Sequence, residues 1–86
     1  MHQLYTDGSY YPDFKAAGIG GYLLNTQQEL VWNFFELITD PQLFSRHEII
    51  ALEFGLKKCI EQGIKSLLSN QNATYWCTSN TIIQVR

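Results

Sequence analysis

The stretch HQLYTDGSY, residues 2–10, determines the fold that the sequence predicts. Its first part, residues 2–6, has the β-forming side chains of a short strand. Asp7 is the one acid in the stretch and follows that strand directly. Because Asp-Gly-Ser is also a common turn tripeptide, Asp7 taken alone fits either a turn residue or a carboxylate presented at a strand end.

Two further strands are expected downstream of this stretch. AAGIGGYLLN, residues 16–25, alternates small and large side chains, and its glycines indicate a bulge or a close approach of backbone. ELVWNFFELI, residues 29–38, is rich in β-branched and aromatic residues and is followed by the turn signal Asp40-Pro41. Together with residues 2–6 these segments predict a three-stranded antiparallel meander.

The hydrophobic period becomes helical from Ser45 onward. Ile49, Leu52, Leu56 and Cys59 recur on one face, and Gly63 stands just past the predicted end. Residues 74–78 predict a fourth strand, parallel to strand one, and residues 81–86 a final helical turn. The sequence therefore predicts one α/β (α+β) domain over residues 1–86 with a meander, one amphipathic helix and a fourth strand.

Composition narrows the classes of function. The chain has six Lys and Arg against eight Asp and Glu, a net charge of −2, so nucleic-acid binding would need a local patch or a metal ion. No apolar run approaches the length of a membrane span, which predicts no membrane partner. Cys59 and Cys77 lie in apolar segments without a CxxC pattern, which favours buried thiols and a reducing, cytoplasmic location.

Glu48 is the second acid of interest. On a helical wheel it lies on the flank of the buried stripe, in the first turn of the helix. Hard oxygen ligands from two different elements are what a divalent cation needs, so Asp7 and Glu48 together indicate a metal site. Ser45-Arg46-His47-Glu48 also has the spacing of a capping box, and the spacing alone leaves both roles open for Glu48.

These motifs resemble a known family. YTDGS, the glycine-rich second segment and RHEIIALEFGLKK, read in this order over residues 4–63, look like the N-terminal half of the ribonuclease H type I family. The resemblance implies a sheet of strand order 3-2-1-4-5. It also implies hydrolysis of the RNA strand of RNA/DNA hybrids by Mg²⁺ or Mn²⁺ ions held by carboxylates.

The resemblance assigns roles to individual residues. Asp7 matches the first metal-binding, catalytic carboxylate and Glu48 the second. Gly8, Ser9 and Ser45 fall where the family contacts the hybrid, including its 2′-hydroxyl groups. Tyr10, as a surface aromatic residue, and Arg46, two residues before Glu48, complete the expected substrate contacts.

The third carboxylate of the family is replaced by an amide. If residues 74–78 form the fourth strand, the position falls on Asn80, which is the preferred interpretation; a shorter spacing from Glu48 gives Asn70. An amide brings no negative charge, and the family's later elements have no counterpart, so we expect a truncated member with weak or absent activity. The alternative is a non-catalytic nucleic-acid-binding or self-associating module.

A fourth strand beside strand one would leave its far edge unpaired. Such edges are usually covered or paired, and Ile50 and Phe54 lie on the outward side of the predicted helix. These features predict a homodimer formed through the edge of strand four.

Overall fold

A computed structural model describes residues 1–78 and 81–85. One helix follows three strands and precedes three more: β1 His2–Tyr11, β2 Ala16–Leu24, β3 Leu30–Ile38, α1 His47–Glu61, β4 Ser66–Ser69, β5 Thr74–Cys77 and β6 Ile82–Val85. The strands form one six-stranded sheet of order β3-β2-β1-β4-β5-β6. β1, β2 and β3 are antiparallel and β4 is parallel to β1, so the predicted fold class is confirmed.

β1 is longer than the sequence predicts. It pairs with β2 from Gln3 through Tyr11, and Asp7 lies opposite Gly20 within this ladder. The chain reverses instead at a 3-10 turn, Pro12–Phe14, which ends at Lys15 with φ 48°. Because β2 supplies a backbone partner for every residue up to Tyr11, Asp-Gly-Ser continues the strand and does not form a turn.

The strand next to β1 is not the predicted one. β4, Ser66–Ser69, pairs with β1, whereas residues 74–77 form β5, which is antiparallel to β4. The chain turns at Gly63, with φ 75°, and then enters β4, where Leu67 is fully buried. The segment predicted as a final helical turn contains the strand β6, which pairs with β5.

The helix packs on one face of the sheet. An ideal Cβ on Gly55 would lie 3.1 Å from side-chain atoms of both Leu4 and Thr6, so α1 approaches β1 closely at this residue. The buried helix residues are Ala51, Gly55, Leu56 and Cys59, while Ile49, predicted to be buried, is 52% exposed.

The predicted exposure of Ile50 and Phe54 is wrong. Both side chains are partly buried against the cluster that contains Ile19 and Ile38. The Phe54 ring also lies 4.7 Å from the ring of Phe34 on β3. These two residues therefore give no support to a partner surface on the helix.

The residues predicted to form strand four, 74–78, correspond to β5. In the described chain β5 pairs with β4 on one side and with β6 on the other. The homodimer through this edge stays a prediction. In the part of the chain that the structure describes, the outer strands of the sheet are β3 and β6.

The two thiols belong to the core. Cys59 and Cys77 are both free and buried in one cluster with Leu4 and Leu67. Burial raises the pKa of the Cys59 thiol to about 12, and the Cys77 thiol adds to the rise. No helix within residues 1–78 and 81–85 is long and apolar enough to cross a bilayer.

Two adjacent glycines of β2 provide a test of the packing. An ideal Cβ on Gly21 would lie 2.5 Å from the backbone oxygen of Tyr5 and 2.7 Å from the Phe34 ring, whereas one on Gly20 meets nothing closer than 3.4 Å. We expect Gly21→Ala to lower the free energy of unfolding by about 1–3 kcal/mol in urea titrations, as overpacking does. Gly20→Ala, the matched control, should cost clearly less; equal costs would contradict this packing.

Candidate functional site at the edge of β1

The side chains of β1 alternate between the two faces of the sheet. Leu4 and Thr6 are buried towards α1, where both contact Gly55. Tyr5 and Asp7 therefore project from the opposite face, which we call the open face. Asp7 is exposed there, and its Oδ1 accepts a hydrogen bond of 2.9 Å from the Gly8 N–H.

Gly8 brings the start of the helix against β1. An ideal Cβ on Gly8 would lie 2.9 Å from the carbonyl carbon of His47 and 3.0 Å from the backbone nitrogen of Glu48. The residue next to Asp7 therefore lies against the backbone of the helical turn that carries Glu48. Asp7 and Glu48 are both exposed to solvent.

The capping-box interpretation of Glu48 is wrong. The chain reaches α1 through a 3-10 turn, Pro41–Arg46, so Ser45 lies inside that turn and Arg46 is the N-cap residue of α1. The N-cap residue makes no side-chain capping hydrogen bond. The side-chain cap occurs earlier, where Asp40 accepts a hydrogen bond of 3.0 Å from the Gln42 N–H.

Asn70 follows β4 and ties it to β1. Its backbone N–H donates to the Leu4 oxygen at 3.0 Å. Its side-chain Nδ2 donates to the Thr6 oxygen at 3.1 Å, and its Oδ1 accepts from the Thr6 N–H at 3.3 Å. The amide therefore pairs with Thr6 as a further strand residue would.

This geometry removes the reason for preferring Asn80 as the position of the third acid. The residue after the strand beside β1 is Asn70, because that strand is β4 and not β5. Asn80, the preferred candidate, lies outside the described residues. The signal for Asn70 was weak, since β4 has only four residues and gives almost no hydrophobic period.

Asp7 lies where β1 loses its neighbour. β4 pairs with residues 2–4 only, and Asn70 extends that contact to Thr6. The described chain gives no strand partner to Asp7 and Gly8 on this side. The Asp7 carboxylate projects from the open face and the Glu48 carboxylate belongs to the helix side, and both are exposed to solvent.

Asp7 and Glu48 are the carboxylates that the sequence suggests for a metal site. Mg²⁺ is commonly held by one or two carboxylates together with water and substrate phosphates. No group of three or more His, Cys, Asp or Glu side chains that could hold a metal is found within residues 1–78 and 81–85. The Oδ1 of Asn70 is already bonded to Thr6, so the amide acts here as a structural link.

The predicted substrate-contact residues divide into two groups. Ser9, Tyr10, Ser45 and Arg46 are exposed, and the Tyr10 ring lies 5.3 Å from that of Phe44. Gly8 has a packing role, because α1 lies directly over it.

A groove beside the start of α1 joins two of these residues. Its volume is about 380 Å³, and it is lined by Tyr10, Pro41, Phe44, Ser45 and His47. The His47 Nδ1 is buried and has no hydrogen-bond partner among the residues that the structure describes. The His47 side chain lies against Gly8, which has no side chain of its own. This glycine was the feature of the sequence that could have indicated the close contact.

A second groove opens beside Asp7 on the open face. Its volume is about 340 Å³, and it is lined by Tyr5, Thr6, Asp7, Gly20, Gly21, Tyr22 and Asn70. The Tyr5 and Tyr22 rings stack at 4.8 Å, with 14° between their planes. Sequence reasoning missed these two tyrosines, which only the antiparallel register places side by side.

Comparisons of the chain with family models, curated proteins and solved structures find no match.

The Asn70 link predicts a pH-dependent variant. In Asn70→Asp an ionised carboxylate can accept from the Thr6 N–H but cannot donate to the Thr6 oxygen, whereas the protonated acid can do both. The folded state should raise the pKa of the introduced carboxyl above its ordinary value. The introduced carboxyl group then stabilises the fold fully below about pH 4, and this contribution is lost as the pH rises through the folded-state pKa.

We expect this variant, in EDTA, to lose about 1–2 kcal/mol of unfolding free energy at pH 7 and to recover most of it at pH 4, relative to the native chain. Asn70→Ala is the control, because it loses both side-chain hydrogen bonds at every pH. Urea titrations at several pH values measure both. A pH-independent difference between Asn70→Asp and the native chain would show that the amide does not hold Thr6 in this way.

Proposed function

We propose that this chain is an RNase H-like protein that binds RNA/DNA hybrids and, through Asp7 and Glu48, one Mg²⁺ or Mn²⁺ ion, with weak or absent cleavage of the RNA strand. The observation that supports the proposal is the packing of Gly8, the neighbour of Asp7, against the backbone of His47 and Glu48. Strand order β3-β2-β1-β4, with a helix between β3 and β4, agrees with what the resemblance implies.

The chain's own residues define the expected chemistry. A divalent ion, when bound, lowers the pKa of a coordinated water and stabilises charge on a phosphate. Asp7 and Glu48 would hold it, and Asn70 would fix the Thr6 backbone next to Asp7. Because the amide adds no charge, the site has less negative charge than the family pattern requires, which is the physical reason to expect weak hydrolysis.

Hybrid binding would be local. The net charge of −2 gives no general attraction to a polyanion, so the contacts must lie near the acids. Arg46 is an exposed cation two residues before Glu48, and Ser45 lines the groove with Tyr10. Arg46 can pair with a phosphate, and the hydroxyl groups can bond to phosphate or to 2′-hydroxyls.

A non-catalytic role is the second candidate. The observation that favours it is the bonding of the Asn70 amide to Thr6, which commits the third position of the site to structure. The chain would then act as a nucleic-acid-binding or self-associating module. For either role we propose a cytoplasmic location, which the two free, buried thiols support because such thiols persist in reducing compartments.

Cleavage and binding of a fluorescently labelled RNA/DNA hybrid test the proposal. With Mg²⁺ or Mn²⁺ present, we expect the native chain to bind the hybrid more tightly than duplex DNA of the same sequence. Asp7→Asn and Glu48→Gln should each weaken the metal-dependent part of binding, and any cleavage, at least tenfold. Asp13→Asn, which removes an exposed acid in the turn after β1, is the matched control and should change neither.

Two gain-of-charge variants separate the candidates. Cleavage that rises in Asn70→Asp but not in Asn80→Asp would support a hydrolase site completed after β4, and the reverse would place the third position at Asn80. Binding that is unchanged by EDTA and by Asp7→Asn would exclude the metal site. Equal affinity for hybrid and duplex DNA would exclude hybrid recognition.

A further inference from the structure

The open face of the sheet is apolar and uncovered in the described part of the chain. α1 packs against β1 and β2 on the other face, and no second helix is described in residues 1–78 and 81–85. The exposed large side chains on the open face come from five strands: Tyr11, Tyr22, Leu30, Phe35, Leu37, Trp76, Ile83 and Val85. Contiguous apolar patches of this extent mark interaction sites.

Strand pairing shows that β5 and β6 contribute to the same face. Leu67 on β4 is buried beneath α1, so its neighbour Ser66 points the other way. Trp76 pairs with Ser66 and Ile83 pairs with Trp76, so all three side chains lie on the open face. The apolar surface therefore extends from β3 to β6.

The open face has both projections and a depression. An ideal Cβ on Gly18 would lie 3.4 Å from the rings of Phe35 and Tyr11, so these rings lie over the glycine backbone. Phe35 is nevertheless 66% exposed. The groove of about 340 Å³ lined by Asp7, Gly20 and Tyr22 can receive an aromatic side chain from a partner.

The open face is almost without charge. Of the strand residues that the structure describes, Asp7 alone carries a charge on it, and Asp7 lies beside the edge of β1 that β4 leaves unpaired. The carboxylate can stay hydrated there while the apolar residues are covered. No basic residue on these strands offers a contact to phosphate, so the face suits an apolar partner better than a nucleic acid.

We infer that the open face packs against the open face of a second copy of this chain, forming an isologous dimer of two stacked sheets. Together the eight side chains expose about 800 Å² if each offers about 150–250 Å² when fully accessible. A stable interface buries about 800 Å² on each partner. A second copy presents the same almost uncharged surface. It also has the same projecting aromatic side chains and the same groove to receive them. This inference rests on the open face alone and does not depend on the proposed function.

Sedimentation velocity over a range of protein concentrations tests the dimer. We expect a species of twice the 9.9 kDa chain mass. The double variant Phe35→Ser, Leu37→Ser should raise the dissociation constant at least tenfold. Ile49→Ser is the matched control, because Ile49 is 52% exposed on α1, on the other side of the sheet, and it should leave the constant unchanged. Far-ultraviolet circular dichroism checks that each variant is folded.

Other outcomes would overturn the inference. A native chain that stays monomeric at about 100 μM, well above the concentrations at which standard-size interfaces form, excludes the dimer. Open-ended growth to larger species would indicate pairing of strand edges. A monomer whose tryptophan fluorescence is quenched by a single-stranded oligonucleotide, with the effect lost in the double variant, would assign the face to nucleic acid.

Discussion

The close approach of α1 to β1 is the contact on which the rest of the structure depends. It is possible because two residues at the contact, Gly8 on the strand and Gly55 on the helix, have no side chain. At Gly55 the helix rests on Leu4 and Thr6 and closes the main core. At Gly8 the first turn of the helix lies against β1. The backbone of Glu48 therefore lies close to the strand that contains Asp7. The same backbone contact therefore serves both the stability of the domain and the geometry of the candidate site.

The sequence predicted those parts of the fold that have strong local patterns. Two long apolar strands and a periodic helix that ends just before Gly63 are visible without a structure. β4 could not be predicted, because four residues with two leucines carry too little periodicity. The Phe54 ring packs against the ring of Phe34 on β3. Because these two residues are far apart in the sequence, the residues around Phe54 did not indicate that it is partly buried. The preference for Asn80 over Asn70 depended on which segment forms the strand beside β1, and that strand is β4.

Asn70 shows how a site can keep its architecture while changing its chemistry. Its amide both donates to and accepts from the Thr6 backbone, which an ionised carboxylate cannot do. β4 pairs with β1 over three residues, and the Asn70 side chain adds one further link to this short parallel pairing. In the proposed RNase H-like site, the same amide would supply this structural link in place of a metal-binding charge. In a small domain, whose stability margin is narrow, that gain is significant.

β1 contributes both to an unpaired edge and to the open face of the sheet. β1 turns Thr6 and Gly8 towards the helix and Tyr5 and Asp7 away from it, so any ligand at Asp7 must approach from the edge or from the open face. A sheet with one covered face leaves its apolar residues in water unless something packs on them. The groove proposed to receive a partner side chain is lined by Asp7 as well as by Gly20 and Tyr22, so a second copy and a ligand at Asp7 would share this part of the open face.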